Sequence, residues 1–241
     1  YWSAILNAPV SLDSSLDGQY VYVVGKLSSS LVVLDIATDP TQPTVVGSVR
    51  DDSDLTQPWD VQITPDGVYA IVVGGTNQLT VVSVEDPTNP VVVGTTNNCG
   101  YGQAVSVAVS PDGQYAYMID YIGDSLQVVD IGTDPSNPEC VGSASTLKSG
   151  DSSGGPYGVM LSPDGNYAFV ANHELQEIAV FDIAEDATTP RSVSRLDVST
   201  SSTSIVSPRT IVSSKDGTTV YVTGMTANSL MVLMGTDEAC Q

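Results

Sequence analysis

The chain has 241 residues, enough for one closed all-β domain. Its 28 Asp and Glu against 7 Lys and Arg give a formal net charge of −21, so a phosphate backbone would be repelled and nucleic-acid binding is disfavoured. No stretch is long and apolar enough to span a membrane, and none reads as a secretory signal, so Tyr1 is expected to be a mature or trimmed start.

Taken in order, Tyr1–Leu6 precedes a series of copies of one unit, best seen between Ala104 and Ser143. There Val105–Val109 is an apolar β-branched strand. Ser110-Pro111-Asp112-Gly113 is a turn, with Pro suited to its second position and Gly to its final left-handed one. Tyr115–Asp120 and Leu126–Ile131 follow as strands. The two prolines of Asp134-Pro135-Ser136-Asn137-Pro138 forbid a central strand, so Cys140–Ser143 opens a fourth.

The turn glycine recurs at Gly18, Gly67, Gly113, Gly165 and Gly217, 46 to 52 residues apart by subtraction. A second strand follows each, as in Tyr20-Val21-Tyr22 and Tyr167-Ala168-Phe169. The third strand recurs as Leu31–Ile36, Leu79–Val84, Leu126–Ile131, Ile178–Ile183 and Leu230–Met234. The proline-bracketed turn returns at Asp39–Pro43, Asp86–Pro90 and, loosely, Asp186–Pro190. Four strands per repeat at this period predict an all-β fold, a β-propeller of five four-stranded antiparallel blades in one domain, 1–241. The repeats fall at about 9–57, 58–103, 104–155, 156–207 and 208–241. Strands that are apolar on both faces, such as Val81-Val82 and Val128-Val129, suit sheets packed between neighbours. Blade five lacks a fourth strand, and Trp2–Leu6 is expected to supply it and close the ring. The alternative is a part of a larger ring.

Two repeat signatures carry a resemblance. Leu31-Val32-Val33-Leu34-Asp35-Ile36 with Asp39-Pro40-Thr41-Gln42-Pro43 resembles the LVIVD repeat. Ser-Pro-Asp-Gly-x-Tyr-Ala-Tyr, with Val222-Thr223-Gly224 and Val170-Ala171-Asn172, resembles the related YVTN repeat of surface-layer propellers. Lys215 and Leu16 replace the turn proline in blades five and one, and Met234 replaces the third-strand aspartate in blade five. The resemblance implies a secreted or cell-surface propeller. It says little of function, because propellers host many activities.

The repeat also sorts loops by face. Uniform turns occupy one end; the other carries the variable loops Val49–Gln57, Thr95–Gln103, Ala144–Gly155 and Leu196–Ser207. Binding usually resides in such loops. Around that mouth stand Trp59, Asp60, Tyr101, Asp120, Tyr121, Tyr157, His173 and Arg209. Trp59, Tyr157 and Arg209 share one repeat position, directly after Pro58, Pro156 and Pro208, the prolines nine residues before a turn glycine. They read as a ligand or partner patch of aromatics with one cation, or, more plainly, as rim packing and channel plugging.

Catalytic signals are sparse. Gly150-Asp151-Ser152-Ser153-Gly154 matches G-x-S-x-G, but no helix follows and His173 is the sole histidine. A glycosidase needs paired carboxylates in the channel. The channel-side positions of the first strands are Ser11, Asp60, Ser106, Gly158 and Thr210, with one acid among them. Zinc motifs are missing, so no cofactor is expected. Asp51-Asp52-Ser53-Asp54 could offer oxygens to calcium without the EF-hand pattern. Asp35, Asp130 and Asp182 read as structural, each accepting backbone N–H bonds at a strand end.

Three cysteines cannot all pair within one chain. Cys99 and Cys140 are expected on opposite faces and unbridged, and Cys240 is the candidate for a bond to another chain. These readings favour a non-enzymatic extracellular or cell-surface scaffold. It would self-assemble with protein partners, as a subunit of a surface layer or filament. The alternatives are a lectin-like module binding glycan or protein through the aromatic mouth and, remotely, a serine hydrolase at Ser152.

Overall fold

The structure, a computed structural model, describes residues 5–96, 99–100, 102–199, 207–226 and 228–234. The chain is an all-β β-propeller of five antiparallel blades. The first sheet is β1 (Pro9–Ser14), β2 (Tyr20–Gly25), β3 (Ser30–Asp35) and β4 (Thr44–Arg50), paired in that order. The second is β5 (Pro58–Ile63), β6 (Tyr69–Gly74), β7 (Gln78–Ser83) and β8 (Val91–Thr96). The third is β9 (Ala104–Val109), β10 (Tyr115–Asp120), β11 (Ser125–Asp130) and β12 (Glu139–Ser145). The fourth is β13 (Pro156–Leu161), β14 (Tyr167–Asn172), β15 (Glu177–Asp182) and β16 (Arg191–Asp197). Among the described residues the fifth has three strands, β17 (Pro208–Ser213), β18 (Thr219–Gly224) and β19 (Ser229–Met234).

The turns explain the repeat. In the third sheet Ser110 Oγ donates to Asp112 Oδ1 (2.5 Å) and accepts the Tyr115 N–H (2.9 Å), while the Gly113 N–H closes on Ser110 O (2.8 Å). Gly113 has φ +74°, a conformation that costs glycine nothing. Ser15–Asp17 and Ser214–Asp216 make the same bond (2.6 Å each), although Leu16 and Lys215 stand where the other turns have proline. The hydroxyl–carboxylate pair, rather than the proline, therefore specifies the turn. The strand-end aspartates behave as expected: Asp35 Oδ1 accepts from the Ala37 and Thr38 N–H groups, and Asp130 Oδ1 from those of Gly132 and Thr133.

Two compact units are present, Tyr1–Met118 with Val129–Val141, and Ile119–Val128 with Gly142–Gln241. In the first, Leu31, Val33, Val61 and Val72 form one apolar cluster, and Ile71, Leu79, Val81 and Met118 another. Burying each such side chain contributes roughly 1.5–3 kcal/mol. In the second unit Met160, Ile178, Ile211, Val222 and Met231 pack together.

Two expectations meet the structure differently. Of the proposed closing strand, Trp2–Ala4 lie outside the described residues. Ile5–Asn7 are irregular and hold the β2–β3 hairpin of the first sheet: Ser30 Oγ donates to Ile5 O (2.8 Å) and the Asn7 N–H to Ser28 Oγ (3.0 Å). The cysteine expectation is corrected. Cys99 and Cys140 form a disulfide, with Cα atoms 5.5 Å apart. Cys99 stands inward instead of at the loop end. It is buried in the apolar cluster against which Cys140 packs. Cys240 lies outside the described residues.

Candidate functional site

A backbone irregularity places the residue after each repeat proline. The register of the inner strand slips between Pro9 and Ser11, Pro58 and Asp60, Pro156 and Gly158, and Pro208 and Thr210. Val10, Trp59, Tyr157 and Arg209 are therefore bulge residues. A bulge leaves its extra residue out of the ladder and re-aims its side chain.

In the second unit the bulge residues Tyr157 and Arg209 meet. The Arg209 guanidinium carbon stands 4.3 Å from the centroid of the Tyr157 ring, and Nη2 donates to Tyr157 Oη (2.8 Å). Nη1 donates to Met225 Sδ (3.3 Å). Gly158 permits this approach, because a Cβ there would collide with the Arg209 carbonyl. Among the described residues Arg209 forms no ion pair, in a chain where acids outnumber bases fourfold. Tyr121 packs edge-on against Tyr157 with centroids 5.7 Å apart, and the His173 ring lies 6.3 Å from Tyr157. His173 follows β14 and is half-buried; its Nδ1 is enclosed and among the described residues has no hydrogen-bond partner. Buried polar atoms are normally satisfied, so an imidazole left thus against the tyrosine that also carries an arginine without a carboxylate partner marks this cluster.

The loop from Thr146 to Gly155 borders the cluster and is fastened at both ends. At one end Glu177, 2% exposed, pairs with Lys148 and Arg195. Arg195 also donates to Thr146 O (2.7 Å) and Leu147 O (3.2 Å). At the other, Asp124 Oδ1 accepts the N–H groups of Gly154 (2.8 Å) and Gly155 (3.0 Å). Ser152, the centre of the G-x-S-x-G match, is exposed, and among the described residues no hydrogen bond joins it to His173.

Trp59 and Asp60 belong to the first unit, where Lys26 Nζ sits 3.4 Å from the Trp59 ring centroid. Asp60 accepts from Ser11 Oγ (2.6 Å), Ser106 Oγ (3.1 Å), the Val107 N–H (3.0 Å) and the Val61 N–H (2.9 Å). The channel-side positions of three inner strands thus converge on one acid. Burial holds the Asp60 pKa above the ordinary carboxylate value, against the four hydrogen bonds that favour the ion. Its acceptor capacity is spent on the scaffold. Asp120 is buried and caps its own hairpin through the Gly123 N–H (2.9 Å). Tyr101 lies outside the described residues.

Sequence reasoning did not single out Lys26, Met225, Asp124 or the Glu177 group. Only an equivalence between repeats could have flagged Asp124: it shares its hairpin position and positive φ with Ser29, Asn77, Gln176 and Asn228. Among the described residues no three His, Cys, Asp or Glu side chains cluster to hold a metal ion. The Asp51–Asp54 run turns on itself, Asp51 Oδ1 accepting from Ser53 and Asp54 while Asp52 pairs with Arg50. No helix of the described residues is long and apolar enough to cross a membrane.

Comparison with known proteins gives two family matches. A model described as a seven-bladed β-propeller lactonase matches residues 106–238, more than half of the chain, and an LVIVD repeat model matches 12–51 and 59–98. Among curated proteins none matches. Solved structures share the fold. A protein of Lactobacillus plantarum is 17% identical with a TM-score of 0.81, covering 97% of this chain and 69% of that one. A candidate 6-phosphogluconolactonase of Bacteroides uniformis is 16% identical with a TM-score of 0.77, at 97% and 69% coverage. A periplasmic gluconolactonase of Pseudomonas aeruginosa is 20% identical with a TM-score of 0.76, at 99% and 69%.

These findings overturn the expected non-enzymatic scaffold and its lectin-like alternative. The lactonase family match points to a hydrolase. The sequence hid this for a physical reason. Tyr121, Tyr157, His173 and Arg209 are spread over four strands or turns, with bulges placing Tyr157 and Arg209, so no contiguous motif announces them.

Proposed function

The chain belongs to the family of seven-bladed β-propeller lactonases, and from that membership we propose that it hydrolyses the cyclic ester of a sugar lactone at the Tyr121–Tyr157–His173–Arg209 cluster. The observation that carries the assignment is the coincidence of two stretches. The family match runs over 106–238 and takes in all four residues, whereas Trp59 and Asp60 fall outside it. His173 takes a proton from water as the water oxygen attacks the lactone carbonyl carbon. Arg209, fixed on Tyr157 and Met225, stabilises the negative charge that builds on the carbonyl oxygen. The carbon–oxygen bond of the ring then breaks, and the leaving oxygen regains a proton to give the open hydroxy acid. The Tyr121 and Tyr157 rings offer the apolar wall on which a sugar ring can stack. A compartment outside the cytoplasm fits the Cys99–Cys140 disulfide, since such bonds persist where the milieu is oxidising.

Acid release at constant pH tests the assignment, with gluconolactone and its 6-phosphate as substrates and the spontaneous rate subtracted. His173→Ala and Arg209→Ala should each lower kcat/KM by about 10²–10³-fold. A wild-type rate no higher than buffer with both lactones would overturn it.

A further inference from the structure

The Gly/Ser-rich loop before β13 matches a hydrolase motif, yet its serine is exposed and unused. Its two final glycines have another employment. Their N–H groups converge on a single oxygen, Asp124 Oδ1, at 2.8 and 3.0 Å. Their carbonyls face the other way: Gly155 O accepts the His173 N–H (2.9 Å) and Gly154 O the Glu174 N–H (3.0 Å). The peptide between the two glycines thus bridges the Asp124 carboxylate and the strand end that carries the histidine. A carboxylate bonded to two N–H groups is a strong anchor, and it polarises the peptide whose carbonyl binds Glu174.

Local conformation supports a fitted device. Asp124 has φ +48°, and the Thr146 N–H donates to its carbonyl (2.9 Å), so both ends of the residue grip the same loop. Gly155 has φ +52°, and a Cβ there would press on the Glu174 side chain. At the same repeat position Asn77 donates from its amide to Cys99 O in the loop after β8 (2.7 Å). Among the described residues the side chain at this position thus reaches into the following loop in two sheets, whereas its carbonyl also does so at Ser29 and Gln176. Only in the third sheet is it a carboxylate, and only there does the loop lead to a histidine.

We infer that Asp124 is the positioning residue of the His173 imidazole, acting through the Gly154–Gly155 backbone. The inference rests on the lactonase reading for its catalytic meaning, but not for its test. His173 is the sole histidine of the chain, so its imidazole gives one set of ¹⁵N and ¹H resonances without assignment work. Asp124→Gly is the informative deletion, since glycine accepts φ +48° without strain whereas alanine does not. Asp124→Asn keeps an acceptor oxygen without the charge. The imidazole shifts should move in the order wild type, Asn, Gly, while Ser152→Ala leaves them unchanged. In lactone assays kcat should fall about 10²-fold in Asp124→Gly, the cost of a misplaced catalytic group, with KM little changed and Asn recovering part of the loss. Should the Gly variant not fold, as judged by circular dichroism, the Asn displacement decides alone. Folded variants whose imidazole signals coincide with wild type would overturn the inference. A wild type without lactonase activity would remove the functional reading and leave the imidazole test standing.

Discussion

The fifth sheet repeats the sequence pattern of the other four and shares only half of their burial. Leu31, Leu79 and Leu126 stand at the second position of β3, β7 and β11 and are 0% exposed, and Ile178 in β15 is 2% exposed. Leu230, at that position in β19, is 62% exposed. Two residues on, Val33, Val81 and Val128 are 0% exposed and Val232 is 50% exposed. The opposite face of β19 is covered, for Met231 joins a core cluster and Leu233 packs against it. A strand's apolar residues thus qualify a face for burial, and the packing of another sheet confers it. The hydrophobic contribution lies in the contact, not in the residue.

Paired substitutions should reveal the largest difference. Leu126→Ala removes a fully enclosed side chain and is expected to cost about 2–5 kcal/mol, whereas Leu230→Ala should cost less than about 1 kcal/mol. Urea unfolding of both variants measures this, and equal losses would break the contrast between the sheets.

Acid separates the turns from the burial. Eleven aspartates, in turns, strand ends and loops of all the blades, have pKa values held below the ordinary carboxylate range, chiefly by hydroxyl and backbone hydrogen bonds. A lowered folded pKa stabilises above the unfolded value, and that contribution is lost as pH falls through the folded one. Asp60 has the opposite sign: with its pKa raised by burial, its ionisation costs stability as pH rises through that value. Tm should therefore hold between about pH 7 and pH 5 and fall steeply below the ordinary carboxylate pKa. A Tm that climbs in that acid limb would show that Asp60 outweighs the turns.

The smallest effect should come from Leu230→Lys. On a face already open to water it is expected to change stability by less than about 0.5 kcal/mol and to reduce binding of an apolar dye. A loss of several kcal/mol would mean that Leu230 is covered in solution.

Much of the fold was legible because its signals are local. Ser110-Pro111-Asp112-Gly113 and its copies fix turns through bonds spanning up to five residues, and Leu126–Ile131 and its copies carry their apolar signal on both faces within one strand. The shared position of Trp59, Tyr157 and Arg209 was also readable, and the structure explains it as a bulge. What escaped depends on partners distant in sequence. Leu-Met-Val-Leu-Met in β19 reads like a strand buried on both sides. Cys99 reads like a loop residue, and its partner is 41 residues away. Asp124 looks like any hairpin aspartate until the loop thirty residues later is seen to rest on it. Chemistry escaped for the same reason, since Tyr121, His173 and Arg209 come from separate pieces of chain and meet only around Tyr157.

Each blade carries one Asp-Gly peptide bond, at Asp17, Asp66, Asp112, Asp164 and Asp216. In an unfolded chain this is the pair most prone to ageing: the glycine nitrogen attacks the neighbouring carboxyl carbon, forms a cyclic imide and reopens as isoaspartate. The folded turn withholds both reactants. The Gly113 N–H is engaged by Ser110 O, and the Asp112 carboxylate is drawn aside by Ser110 Oγ and the Gln114 N–H. Damage at these bonds then accumulates only while a blade is open. Isoaspartate mapped blade by blade in stored protein becomes a chemical clock of local unfolding.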